Sequence, residues 1–251
     1  MKKAVYLLFL MFVLHPGWFN QPLLAQDEPL VEPEKKSWVE STGARQAVVV
    51  DAGLAALRKS PTSQGELKQR LRVGRKLYVL SQTRNRTGQM YYWVAVTRRT
   101  RGWIDARALV RSGTRGDDGR LWKLILAESN HFEQLRLCQI FFSLFKQSKF
   151  TPQVLWQLAE TAQAEAKTLN SRIQRRAKEA ATSENADLAT YVENDVGLDR
   201  YNRLGIIFLF HPGKQELVYD GWALRQLQKR FPKFKPLSGG MAARTTGALA
   251  E

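Results

Sequence analysis

Between residues 44 and 111 the apolar side chains come in bursts too short for a helix: Ala47-Val48-Val49-Val50, Lys76-Leu77-Tyr78-Val79-Leu80, Tyr91 to Val96 and Gly102-Trp103-Ile104, separated by turn or breaker residues. β-Branched and aromatic residues suit a pleated, half-buried surface, and no stretch here carries a competing helical period. The pattern predicts a small antiparallel β-barrel. From Leu121 onwards the period becomes helical, so the expected fold class is multidomain α and β, a small antiparallel β-barrel followed by an α-helical domain.

The β stretch also concentrates the charge. Of a formal net +16, residues 44–111 carry 15 bases and 3 acids, residues 27–43 carry five acids and two bases, and residues 112–251 carry 20 bases and 15 acids. The basic excess therefore belongs to one module and points to anionic partners. With 44% apolar residues the chain is not a mostly disordered one. Residues 26–43, acidic with Pro29 and Pro33, read as a linker, and Ser112 to Gly119 reads as a second within residues 112–119. The tail 238–251 lacks apolar periodicity and is expected to be disordered.

At the start, Lys2-Lys3 precedes the apolar run Ala4 to Leu14, followed by His15-Pro16-Gly17 and Leu23-Leu24-Ala25. This is the layout of a secretory signal peptide, residues 1–25, cut after Ala25. As a helix the run would rise about 16 Å, well short of a hydrocarbon core of about 30 Å, so a transmembrane anchor is not expected. No Cys lies near its end, and the mature chain is expected in the periplasm or secreted.

Residues from about 46 to 110 resemble the bacterial Src homology 3 (SH3b) family. The matching features occur in order: Leu57-Arg58 with Pro61, Leu71-Arg72-Val73-Gly74 running into Leu77 and Val79-Leu80, Trp93 with Val96, Gly102-Trp103-Ile104, and Ala108-Leu109. Gln82 to Met90 is longer and more basic than the family's usual turn. The resemblance implies a barrel that binds cell-envelope ligands, of the kind that often accompanies cell-wall hydrolases. Independently of it, Gly74 sits where a turn wants positive φ.

Trp93 and Trp103 fall inside strand patterns and are expected in the core. Tyr78 lies out of phase with Leu77 and Val79, so it should face outwards. Tyr91 and Tyr92 begin a strand after a basic turn, and with Tyr78 they are the candidate ligand-contacting aromatics. Arg84 and Arg86 in that turn, and Arg98 and Arg99 before Gly102, are candidate partners for carboxylate or phosphate, which a guanidinium fork grips bidentately. An exposed arginine cluster is equally a solubility device.

Past Leu121 the apolar pattern is dense to Phe145, and a second helix is expected from Thr151-Pro152, where Thr can cap and Pro is tolerated. Val154, Leu155, Leu158, Ala159, Ala162, Ala166, Leu169, Ile173 and Ala177 give it one apolar face. Tyr201, Leu204-Gly205 and Phe208, then Tyr219 to Phe231 before Pro232, weakly resemble a tetratricopeptide unit near residues 199–235. The resemblance implies repeat-like helical packing for residues 120–237, completed by Leu121 to Ala181.

A catalytic set is hard to assemble. Cys138, the single cysteine, sits in Leu135-Arg136-Leu137-Cys138-Gln139-Ile140-Phe141, where a thiol behaves as a small hydrophobe. His131 lies about 10 Å along that helix. Glu160 with Glu165, and Asp195 with Asp199, read as exposed positions with no pocket to separate their pKa values. Three dispersed His and one Cys make no zinc site, and no cofactor is expected.

The expected function is therefore an exported, non-catalytic SH3 domain-containing protein that binds a cell-wall peptide or anionic envelope polymer. A protein partner through the helical domain and contact with a membrane surface are compatible with it, and nucleic acid is not, on compartment grounds. The alternative is a periplasmic scaffold or assembly subunit. A cell-wall hydrolase ranks below both.

Overall fold

A computed structural model describes residues 45–180, 191–192 and 196–236. The expected signal peptide, acidic linker and C-terminal tail lie outside these residues. Seven strands come first: Arg45–Val49 (β1), Ala56–Arg58 (β2), Leu67–Arg70 (β3), Lys76–Arg84 (β4), Met90–Ala95 (β5), Arg101–Asp105 (β6) and Leu109–Val110 (β7). All their pairings are antiparallel, in the order β3-β2-β6-β5-β4-β1-β7, which leaves β3 and β7 as edges, so the sheet is open. Helices Asp117–Ala127 (α1), His131–Leu144 (α2) and Thr151–Ala180 (α3) follow, then the short Leu198–Asn202 (α4), a hairpin of Phe208–His211 (β8) and Glu216–Tyr219 (β9), and Trp222–Arg230 (α5). The fold is mixed α and β.

The run Ala47-Val48-Val49-Val50 is continuous because β1 is covered on both faces. Alternation sends Ala47 and Val49 into a core inside the sheet with Leu57, Leu77, Val94, Ile104 and Leu109. It sends Val48 and Val50, with Val110 of β7, into the core of the helices beside Leu121, Ile125, Leu135 and Leu155. The expected positive φ of Gly74 is present at +84°.

The stretch expected to be a second linker is a short turn that enters α1 at Asp117. The Arg111 amide donates to Asp117 Oδ2 at 2.8 Å, Arg120 pairs with Asp117 at 2.9 Å, and the Arg120 guanidinium donates back to the carbonyls of Arg107 and Leu109. These bonds fasten the start of α1 to the end of the sheet.

Helix α3 buries every residue of its expected apolar face from Val154 to Ile173. Thr151 is itself the first helical residue, and its buried hydroxyl donates to the Phe145 carbonyl at 3.0 Å rather than capping the helix. The tetratricopeptide resemblance is corrected by the structure. Gly205 at φ +75° ends the short α4 turn, and Phe208–Tyr219 is a β-hairpin, so the second half is not wholly helical. Asn170 of α3 holds that hairpin like a neighbouring strand, its amide donating to the Leu217 carbonyl at 2.9 Å and accepting from the Leu217 amide at 2.6 Å.

Glu165, expected to be exposed, is buried in the middle of α3. One carboxylate oxygen accepts from the Tyr201 hydroxyl at 2.5 Å, the other faces His131 Nδ1 at 2.9 Å, and Arg200 stands 3.9 Å away. Burial, and then the hydrogen bond to Glu165, push the Tyr201 phenol up to about 12 from 10.0. Because the fold favours the neutral phenol, this stabilisation is complete below pH 10 and is lost as pH rises towards 12, about 2 kcal/mol. Urea titrations at pH 9 and 11.5 should show the wild-type chain losing more stability across that interval than Tyr201→Phe. Equal losses would refute the assignment.

Candidate functional site: the outer face of the sheet

The face of the sheet turned away from its core is built by strict alternation along β5 and β6. Tyr92 and Val94 point inwards with Ile104, so Trp93 and Trp103 point outwards, directly opposite one another across the two strands. Their ring centroids are 5.3 Å apart at 53°, both side chains are half-buried, and neither joins the core inside the sheet or that of the helices. The expectation that these indoles fill the core is thereby corrected.

Register extends the row. Arg58 of β2 lies opposite Trp103, and Ser81 of β4 lies opposite Trp93, with a bulge next to it. In the adjoining row Arg101, Ala95 and Tyr78 face the same side. Arg58 is half-buried and donates to the Gly65 carbonyl at 2.6 Å, which holds its guanidinium over the β2–β3 turn. Lys68 donates to the Arg101 carbonyl at 2.8 Å and brings another cation to this edge.

The residues expected to contact a ligand do not gather into one surface. Tyr78 is half-buried on the outer face. Tyr91 shares that face but is only 5% exposed. Asp105, across the strand pair, is gripped by Arg107 at 2.8 Å and by the Gln89 amide at 3.0 Å beside it. Burial, then the Asp105 charge, raise the Tyr91 phenol above its usual range. Tyr92 packs against the interior, with Arg111 4.7 Å over its ring and donating to its hydroxyl at 3.0 Å.

Arg84, expected in the turn, is instead the last residue of β4, paired with Met90, and donates to the Gly88 carbonyl at 3.0 Å; Arg86 lies in the turn that follows, and Arg98 and Arg99 in the turn after β5. All four are exposed. At about 3.4 Å per residue, β5 separates the two clusters by about 20 Å, too far for one small ligand. The indole pair and Arg58 were missed by sequence reasoning, although counting phase from Ile104 puts Trp103 on the opposite face.

In the helical part, Cys138 is fully buried, and burial alone pushes its thiol far above the usual range, leaving it protonated. Among the described residues no group of three or more His, Cys, Asp or Glu could hold a metal, and no helix is long and apolar enough to cross a membrane. No family model, no curated protein and no solved structure matches this chain.

Proposed function

We propose that the chain is an exported, non-catalytic SH3-like binding protein whose outer sheet face holds an anionic polymer or peptide of the cell envelope. The observation that carries this reading is the outward indole pair bordered by Arg58 and Arg101. Paired aromatic faces offer flat apolar contact, and the guanidiniums beside them offer charge-assisted hydrogen bonds to carboxylate or phosphate. The +12 balance of residues 44–111 supplies the long-range attraction, and Lys2-Lys3 with the run Ala4 to Leu14 supports export.

The test is co-sedimentation of the full chain with isolated cell-wall material. The wild-type protein is expected to pellet at low salt and to be released at high salt, as screening shortens the reach of its charges. Trp93→Ala/Trp103→Ala should reduce the bound fraction about tenfold at low salt, a loss of about 1.4 kcal/mol. Unchanged sedimentation of the double variant would refute the assignment of this face.

A second reading, a periplasmic scaffold working through the helical part, is favoured by one observation: Ile207, Leu209 and Val218 are exposed on and beside the β8–β9 hairpin. Crosslinking in the envelope separates the two, since the first reading produces glycan or peptide adducts and the second protein adducts.

A further inference from the structure

A cleft of about 700 Å³ lies where the sheet meets the helices, between the β1–β2 and β3–β4 connections on one side and α1 and α2 on the other. Its volume falls in the range of small-ligand sites, about 300–1,000 Å³. Val50, Leu71 and Leu137 are buried and supply an apolar floor. None of the outer-face residues reaches it.

The two walls differ in sign. Arg70 and Arg72 stand exposed on the sheet side, and among the described residues neither side chain has a hydrogen-bond or ion-pair partner. On the helix side are Glu128, Glu133 and Arg136. Glu128 accepts the Asn130 amide at 2.8 Å through one oxygen and has the other left over, whereas Glu133 already pairs with Arg136 at 3.0 Å. Asp51, on the sheet side, likewise accepts the Leu54 amide at 3.1 Å through one oxygen and keeps the other. The uncommitted charges are therefore the Arg70 and Arg72 guanidiniums, with one Asp51 oxygen, on the sheet side and one Glu128 oxygen on the helix side. Both walls are fixed, because Val50 and Leu71 on the sheet side and Leu137 on the helix side are anchored in the cores that pack them.

We infer that this cleft binds a short zwitterionic peptide. Arg70 and Arg72 hold its free C-terminal carboxylate, an apolar side chain lies on the floor, and a lysine-type ammonium meets Glu128. Two neighbouring guanidiniums favour a carboxylate over a neutral amide, since an amide leaves them solvated but unpaired. The inference stands apart from polymer binding on the outer face, and each site can fail without the other.

Isothermal titration of the full chain with Lys-Ala-Leu tests it. The free acid is expected to bind about tenfold more tightly than its C-terminal amide, and Arg70→Ala/Arg72→Ala should abolish that preference while leaving the melting temperature unchanged. Trp93→Ala/Trp103→Ala should bind the peptide as the wild-type chain does. Glu128→Gln should weaken Lys-Ala-Leu but not Ala-Ala-Leu. An amide that binds as well as the acid, a double arginine variant that keeps the preference, or no heat with the free acid would each overturn the assignment. An all-D peptide that binds more tightly than its all-L form assigns the ligand to wall peptide, and the reverse to a protein C-terminus. Either result supports the site.

Discussion

Gly102→Ala should lower the melting temperature by about 8 °C, a loss of about 3 kcal/mol, the upper part of the usual cost of overfilling a core. A Cβ at this position would stand 2.7 Å from Leu57 Cγ and 2.8 Å from the Arg58 carbonyl oxygen. The Leu57 side chain is fully buried and the carbonyl is backbone, so neither can retreat cheaply. Relief would have to come from moving β2 away from β6, which displaces Arg58 from its place opposite Trp103. Gly102→Ala should therefore impair cell-wall sedimentation as well as stability. Gly213→Ala is the control, since nothing lies within 4 Å of its Cβ and its φ is not positive, and it should leave the melting temperature within about 2 °C. Equal shifts for the two variants in differential scanning calorimetry would show that the contact with Leu57 and Arg58 does not limit this position.

Removing Glu165 should have an effect of the same size through a different cause. Glu165→Ala deprives the buried Tyr201 hydroxyl of its acceptor and leaves Arg200 and His131 without their shared carboxylate, at a cost of about 3 kcal/mol in urea denaturation. Glu165→Gln keeps an oxygen for Tyr201 and should cost about 1 kcal/mol. The double variant Glu165→Ala/Tyr201→Phe should be less destabilised than the two single losses added together, because each alone strands the other's polar group. Strict additivity in that cycle would mean that the hydroxyl and the carboxylate are not coupled.

How much of this was legible depended on whether a signal was local. The bursts around Val48, Leu77, Val94 and Ile104 are strands, and the apolar face from Val154 to Ile173 is a helix, because in both cases period alone specifies the element. The hairpin at Phe208–Tyr219 was equally local, an aromatic and β-branched run before Pro212-Gly213 and another after it. The Leu-Gly spacing of a helical repeat matched the same residues and displaced that reading. The burial of Glu165 was not legible, since its partners His131 and Tyr201 stand 34 and 36 residues away in sequence.

The candidate site was harder still. In the sequence Tyr78 stands out by its phase against Leu77 and Val79, Tyr91 and Tyr92 by their place at a strand start, and the arginines by their place in loops. The surface is set instead by cross-strand register, which joins Arg58, Trp103, Trp93 and Ser81 into one row from four different strands. The cleft residues Arg70, Arg72 and Glu128 are ordinary surface residues until the sheet and helices are placed together.

Because β1 and β7 are shared between two interiors, severing the chain in the turn around Gly113 would not yield two self-sufficient fragments. The amino-terminal piece would keep its own tyrosines and tryptophans but carry a greasy stripe of valines, Val48, Val50 and Val110, facing water. Such a fragment would clump or recruit the missing half, so adding the two pieces back together should restore a soluble heterodimer.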